Sequence, residues 1–190
     1  LFYSAYGLNL QKRFFDYFLK GIDNGWDKQT PVQLNIRYPG EKFKLRMEQE
    51  WPLARTRWTK FYLDPAGMAL SPKPLPREGK VEYEALGKGV TFSMAPLEKE
   101  TEITGPLAAK LFISSSAKDA DLFLIVRVFD PNGKELTFMG STDPNTPIAN
   151  GWLRVSHRRL DPERSKPYRP YHPHDRVEPL TPGEVYECDV

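Results

Sequence analysis

Two apolar runs near the middle of the chain restrict its fold more than any other feature. They cover residues 107–114 and 122–129, and both are rich in Leu, Ile, Val and Phe. Turn-forming residues bound each run, and the segment DPNG at 130–133 closes the second one. Such runs predict β-strands. The second run is apolar except for Arg127, which predicts a strand buried on both faces, or mostly so, in the middle of a sandwich.

Composition supports a β fold with many turns and excludes several function classes. The chain has 190 residues, enough for one real core, and its 18 prolines are about twice the usual share of roughly 5%. A net charge of +2 gives no reason to expect a nucleic-acid partner. No apolar run approaches the length of a membrane span, so we expect no membrane partner. The single Cys188 excludes an internal disulfide framework and favours a cytoplasmic location.

One amphipathic helix is predicted ahead of the strands, over residues 4–19. Leu10, Phe14 and Phe18 share one face, and Gly21 is a stop signal. Packing in a core is the favoured role for this aromatic stripe, ahead of ligand binding. Further strands are predicted at 32–38, 57–63, 90–94, 136–140, 151–159 and 183–190, with irregular segments at 65–80 and 160–182. The predicted fold is therefore mainly β: one helix followed by an antiparallel β sandwich.

Motifs for nucleophilic catalysis are missing from the sequence. A serine hydrolase of the α/β type carries its nucleophile in a G-x-S-x-G turn, and the chain has none. Ser141 follows Gly140 but lies in a polar loop. His157 alternates with polar residues on a predicted strand, which favours a structural or surface role over catalysis. We therefore assign no catalytic residue.

Metal-binding patterns are equally incomplete. His172 and His174, with Asp175 beside them, form an H-x-H pair that needs one or two further ligands for a closed site. Cys188 is the only thiol. We expect no metal site and no cofactor.

Three acidic residues, Asp119, Asp121 and Asp130, bracket the second central run. Such carboxylates serve acid–base or calcium chemistry in some proteins, and in others they accept backbone N–H bonds at turns. No further oxygen-ligand pattern supports calcium, so turn capping is the prediction. The many aromatic residues suit a core or an interface better than a sugar platform.

Several stretches carry a resemblance to a known family. LQKRFFDYFLKGIDNGW, followed by PVQLNIRY, resembles the end of the catalytic domain in CocE/NonD hydrolases, which include X-Pro dipeptidyl-peptidases, cocaine esterase and α-amino acid ester hydrolases. EITGPLAAKLFISSSAKDADLFLIVRVFDPNGKE, GWLRVSHRRLDP and PLTPGEVYECDV are similar to the C-terminal non-catalytic domain of that family. These stretches occur in the family's order and span nearly the whole chain.

The resemblance implies a jelly-roll, galactose-binding-like sandwich at residues 31–190, preceded at residues 1–30 by the terminal helix and linker of an α/β-hydrolase domain. The family's Ser, His and Asp all lie upstream of this helix, so none maps onto the chain. The resemblance also implies a parent serine hydrolase, a catalytic domain as partner and a possible homo-oligomer. We expect that both ends of the chain are cut and that the sandwich is incomplete at its C-terminus.

Two other functions remain open from the sequence. A carbohydrate-binding module is the alternative, because galactose-binding-like sandwiches often bind sugars. An autonomous hydrolase using His157 or His174 is the other, and the missing nucleophile motif counts against it. The stripe formed by Phe14 and Phe18 favours a domain that packs on a partner, since a free-standing sugar module has no use for it.

Overall fold

The computed structural model describes residues 2–190, which form two compact units. One unit extends to Ala54 and the other comprises Arg55–Val190. The predicted domain division, 1–30 and 31–190, stays a prediction. Within residues 2–190, no helix is both long enough and apolar enough to cross a membrane. One helix followed by short strands confirms the predicted mainly β class.

The first unit begins with helix α1, Ala5–Lys20, which confirms the prediction for residues 4–19. Ser4 caps its N-terminus, where the side-chain Oγ accepts a hydrogen bond from the Gly7 N–H at 3.1 Å. Gly21 ends it in the left-handed conformation, with φ of 66°, and its N–H donates to the Asp16 carbonyl. The local signals of the sequence thus set both ends of this helix.

The aromatic stripe of α1 does not lie in a core of the described residues. The Phe18 side chain is 58% exposed, and Phe14 is also exposed. Phe14 contacts Phe18 and, edge-on, Trp26, which lies on a short 3₁₀ turn, Trp26–Lys28. The prediction that this stripe packs in a core is therefore wrong for this part of the chain. The helix instead presents an aromatic face to solvent.

Strands β1, Val32–Tyr38, and β2, Lys42–Glu48, complete the first unit as an antiparallel hairpin. Strand β1 was predicted, whereas β2 was missed. The segment KFKLRME alternates apolar and charged side chains, which was the available signal. A turn at Gly40, with φ of 78°, joins the two strands.

The second unit consists of short paired strands. Their bounds are β3 Tyr62–Asp64, β4 Ala69–Ser71, β5 Lys110–Ile113, β6 Asp121–Val126, β7 Val128–Phe129, β8 Glu135–Leu136, β9 Ala149–Arg154 and β10 Tyr186–Asp189. All pairs are antiparallel: β3 with β4, β5 with β10, β6 with β9, and β7 with β8. The β5–β10 pairing continues to Ala109 and Val190, whose backbone groups exchange two hydrogen bonds of 2.8 Å.

The second central run divides at Arg127 into β6 and β7. The Arg127 guanidinium pairs with the Glu135 carboxylate of β8, which explains why a charged residue lies within an apolar run. Burial on both faces, as predicted, is wrong. Leu122 packs on the core, but Phe123 is 77% exposed. Strand β6 pairs with β9, and its successive side chains alternate between the face that covers the core and the face exposed to solvent.

The core of the second unit is a cluster of Leu153, Val155, Leu180 and Cys188. Several partly buried side chains pack against it: Ile113, Ala120, Leu122, Tyr186 and Val190. The cluster thus joins strands β5, β6, β9 and β10 with the segment before Thr181. Both predicted central strands contribute to it.

Other predicted strands are shorter than expected. Residues 57–63 contain only the start of β3, and 90–94 contribute a single bridge, between Ser93 and Ala69. Residues 136–140 hold the end of β8 and a bridge between Phe138 and Thr146. Strand β9 ends at Arg154 and a 3₁₀ turn, Val155–His157, follows. The strand predicted at 183–190 is confirmed as β10.

Candidate functional site

Asp119 and Ser156 form a clamp that holds the 3₁₀ turn after β9, and we call it the Asp119–Ser156 clamp. The Ser156 hydroxyl donates to Asp119 Oδ2 at 2.6 Å, and the Ser156 N–H donates to Oδ1 at 2.9 Å. The Ala120 N–H also donates to Oδ1, at 2.9 Å. Burial alone would raise the pKa of the Asp119 carboxyl, but the hydrogen bonds from Ser156 and Ala120 hold that pKa below its usual value. The clamp places His157 next to a fully buried backbone segment.

The other two predicted turn-capping carboxylates have different roles. Asp130 accepts hydrogen bonds from the N–H groups of Asn132 and Lys134, both at 2.9 Å, which confirms turn capping there. Asp121 instead pairs across the strands with the Arg154 guanidinium, at 2.8 and 2.9 Å. These two bonds lower the pKa of the Asp121 carboxyl. The prediction of a turn cap is therefore wrong for Asp121, because the register of β6 and β9 places Arg154 directly opposite.

His157 lies on the 3₁₀ turn rather than on a strand, so that part of the prediction is wrong. Its Nδ1 atom is 3.2 Å from Nδ1 of His174. One of the two rings donates and the other accepts, because each neutral imidazole carries a single N–H. The structure thus brings together two histidines that are far apart in the sequence.

His172 has a structural position. Its Nε2 lies 3.0 Å from the Asp189 carbonyl oxygen and its Nδ1 lies 3.3 Å from the Arg159 carbonyl oxygen. The ring therefore ties the loop that follows Arg159 to strand β10. Its centroid is 6.1 Å from that of His174, and its nitrogens face away to carbonyl groups, so the predicted H-x-H pair does not converge.

The remaining candidates are placed as follows. Both Asp175 carboxylate oxygens accept from Arg159 Nη1, each at 2.9 Å. Ser141 lies in a bend beside Gly140, whose N–H donates to the Asp143 carbonyl oxygen.

Cys188 is buried in the core, and burial raises the pKa of its thiol, as expected for an unreactive cysteine. Within residues 2–190, no group of three or more His, Cys, Asp or Glu is arranged to hold a metal ion.

Exposed aromatic side chains form a second face, on the outer side of the β6–β9 pair. Phe123 and Trp152 are direct cross-strand partners, and Trp152 is 70% exposed. Ile125 continues the same face and is also exposed. The Asp121–Arg154 ion pair closes one end of it. Sequence reasoning missed this face, because the run at 122–129 was expected to be buried on both sides.

Comparison with known proteins decides the family. The profile of the X-Pro dipeptidyl-peptidase C-terminal non-catalytic domain matches residues 24–190. The chain belongs to this domain family. This match, together with the similarity to a CocE/NonD family hydrolase, confirms the resemblance found in the sequence.

Individual relatives agree with this membership. A crystal structure of a CocE/NonD family hydrolase from Staphylococcus aureus is 29% identical, with a TM-score of 0.88 over 99% of this chain and 35% of that one. Proteins of Mycobacterium bovis and Mycobacterium tuberculosis, each named "Putative serine esterase", are 27% identical over 91% of this chain and 31% of their own length. The chain therefore spans about a third of the length of these relatives.

Proposed function

We propose that this chain packs, through helix α1 ahead of the matched residues 24–190, on the catalytic α/β-hydrolase domain of the same longer protein, a serine ester or amide hydrolase, and stabilises it. The observation that carries the proposal is the exposed aromatic face of α1, formed by Phe14, Phe18 and Trp26. Exposed apolar clusters of this kind mark interfaces. The length of the relatives supports it, since about two thirds of each lies outside the matched region.

A shallow cleft beside α1 adds to this surface. Its volume is about 570 Å³, and Leu10, Tyr17, Phe18 and Trp26 supply its apolar side while Gln29 and Gln33 supply polar groups. A mixed cleft bordered by aromatic rings suits a protein side chain with an apolar body and a polar end. We therefore place the contact with the catalytic domain at α1.

Replacing Phe18 with aspartate in the longer protein is expected to loosen this contact. A carboxylate in an apolar interface loses hydration without gaining a partner, which costs several kcal/mol. We expect a clearly lower melting temperature of the catalytic domain and a loss of ester hydrolysis, measured by calorimetry and with a p-nitrophenyl ester.

Asn9→Asp is the matched control, because it adds the same charge at an exposed position on another side of α1. Equal melting temperatures for Phe18→Asp and Asn9→Asp would contradict the proposal. So would an intact mass of about 21.9 kDa for the polypeptide isolated from its source, since no catalytic domain would then belong to it.

We also propose that the loops at 65–80 and 167–182 form one wall of the substrate pocket of the longer protein. The stacking of Tyr168 on Trp58, with centroids 4.8 Å apart and planes inclined by 13°, supports a fixed aromatic surface on the second loop. Tyr168→Ala in the longer protein is expected to lower kcat/KM for an aromatic ester about tenfold, with less effect on an acetyl ester. An equal loss on both esters would assign Tyr168 to stability instead.

The outer face of β6–β9 supports a protein partner over the carbohydrate-binding alternative. Sugar and small-ligand sites combine apolar surface with polar groups directed at the ligand. Here Asp121 and Arg154 are engaged with each other, and the face carries one further polar side chain, Asn150, beside its apolar residues. The catalytic domain and a second copy of the protein are both suited to such a face. Homo-oligomerisation stays a prediction.

A further inference from the structure

We propose that His157 and His174 form a two-imidazole site for a divalent transition-metal ion such as Zn²⁺. This inference does not rest on the proposed hydrolase partner, because both residues belong to the Arg55–Val190 unit. It replaces the expectation of no metal site, which considered only the pair His172 and His174. That expectation failed to anticipate the approach of His157.

The distance between the two nitrogens fits metal chelation. Zn–N bonds are about 2.0–2.1 Å long, so two ligands of a tetrahedral ion lie about 3.3–3.4 Å apart. The Nδ1 atoms of His157 and His174 are 3.2 Å apart, and their ring centroids are 5.2 Å apart. An ion can therefore bridge them with a shift of only tenths of an ångström.

Both histidines are held in place by their neighbours. His157 follows Val155 and Ser156, which are fully buried, and the Asp119–Ser156 clamp fixes that turn. His174 is preceded by Pro173, whose ring restricts φ, and followed by Asp175, which is bound to Arg159. A pair fixed on both sides loses little conformational entropy when an ion binds.

The backbone of His174 provides a second, independent observation. Its φ is 53°, and within residues 2–190 it is one of three non-glycine residues with positive φ. This conformation costs free energy for a side chain with a Cβ, and such costs occur preferentially at ligand sites. The ring of the same residue contacts His157.

The ligand types favour particular ions. Two imidazole nitrogens without a carboxylate suit Zn²⁺, Cu²⁺ or Ni²⁺ and not Mg²⁺ or Ca²⁺. The described residues provide no third ligand, so water or a bound molecule would fill the remaining positions. The positive charge of Arg159 is offset by Asp175 at 2.9 Å, which reduces its repulsion of the ion. His174 is exposed, so the ion can enter from solvent.

Metal binding requires a defined change in protonation. Without metal, one Nδ1–H donates to the Nδ1 lone pair of the other ring. Coordination by both Nδ1 atoms requires that this proton move to Nε2 of the same ring, which leaves both imidazoles neutral and releases no proton.

Titration of the chain with ZnCl₂, followed by NMR of the imidazole rings, tests the site. The chain has only three histidines, so His172 is an internal control. We expect the Nδ1 signals of His157 and His174 to shift together and to saturate, while His172 is unaffected. Equal shifts of all three, or no saturable shift at millimolar Zn²⁺, would overturn the proposal.

His174→Asn supplies the matched variant, because asparagine adopts positive φ readily and preserves the loop backbone. We expect the apparent affinity for Zn²⁺ to fall roughly tenfold or more, since the loss of a direct ligand should exceed the effect of losing an outer partner. His157→Gln should give the same loss. Unchanged affinity in both variants, with native circular dichroism, would also overturn the site.

Discussion

Replacing Leu153 with alanine is expected to lower the free energy of unfolding by about 2–5 kcal/mol. Leu153 is 4% exposed and packs in the core cluster with Val155, Leu180 and Cys188. Truncation removes apolar contacts and leaves a cavity between strands that are only four to six residues long. A domain of ordinary stability has a free energy of unfolding of about 5–15 kcal/mol, so this substitution would remove much of the stability of the fold.

Urea unfolding of the 190-residue chain, followed by circular dichroism, measures this effect. Leu86→Ala is the matched control, because the Leu86 side chain is fully exposed. Its free energy of unfolding should change by less than about 0.5 kcal/mol. Similar urea midpoints for the two variants would show that the cluster around Leu153 does not carry the stability of the fold.

Replacing Asp119 with alanine is expected to lower the free energy of unfolding of the 190-residue chain by about 1–3 kcal/mol, less than the Leu153 substitution. The substitution leaves the buried hydroxyl and N–H of Ser156 without their acceptor. Asp119→Asn retains one oxygen acceptor and should lower the free energy of unfolding by less than Asp119→Ala. Equal unfolding free energies for Asp119→Ala and the unchanged chain would contradict the role assigned to the Asp119–Ser156 clamp.

The clamp also has a defined pH dependence. Because the pKa of Asp119 is lower in the folded chain than the usual value of about 3.9, its ionised form contributes stability above that value. This contribution is lost as the pH falls from about 4 through the folded pKa. The difference in unfolding free energy between the unchanged chain and Asp119→Asn should therefore be larger at pH 7 than at pH 3. If this difference in unfolding free energy does not change with pH, the charge of Asp119 does not contribute to it, and the effect comes from the shape of the side chain.

Local signals allowed the parts of the fold that depend on neighbours in sequence to be predicted. Ser4 and Gly21 define α1 because capping involves groups only a few residues apart. The turn at Asp130 was predicted for the same reason. The burial of β6 was not, because it depends on which distant parts of the chain pack against each face of the strand. An apolar run such as LFLIV has the same sequence pattern whether its second face packs on a core or is exposed to solvent.

The histidine pair shows the same limit at the candidate site. Spacing alone suggested that His172 and His174 act together, since they are two residues apart. The structure directs His172 to two backbone carbonyls and joins His174 to His157. That contact depends on the clamp and on the path of the loop between them, neither of which leaves a periodic pattern. The family resemblance, by contrast, could be detected from the sequence, because it rests on stretches of sequence that occur in the same order as in the family.

The pairing of the strands has a consequence for how the second unit assembles. The β7–β8 pair lies between β6 and β9 along the chain, and β6–β9 in turn lies between β5 and β10. Once an inner pair has formed, the ends of the next pair are already close in space. Each further pairing therefore closes a shorter effective loop than its sequence separation indicates, which lowers the entropic cost of closure. Ladders with distant partners can in this way form by successive zipping, starting from the turn at Asp130–Gly133.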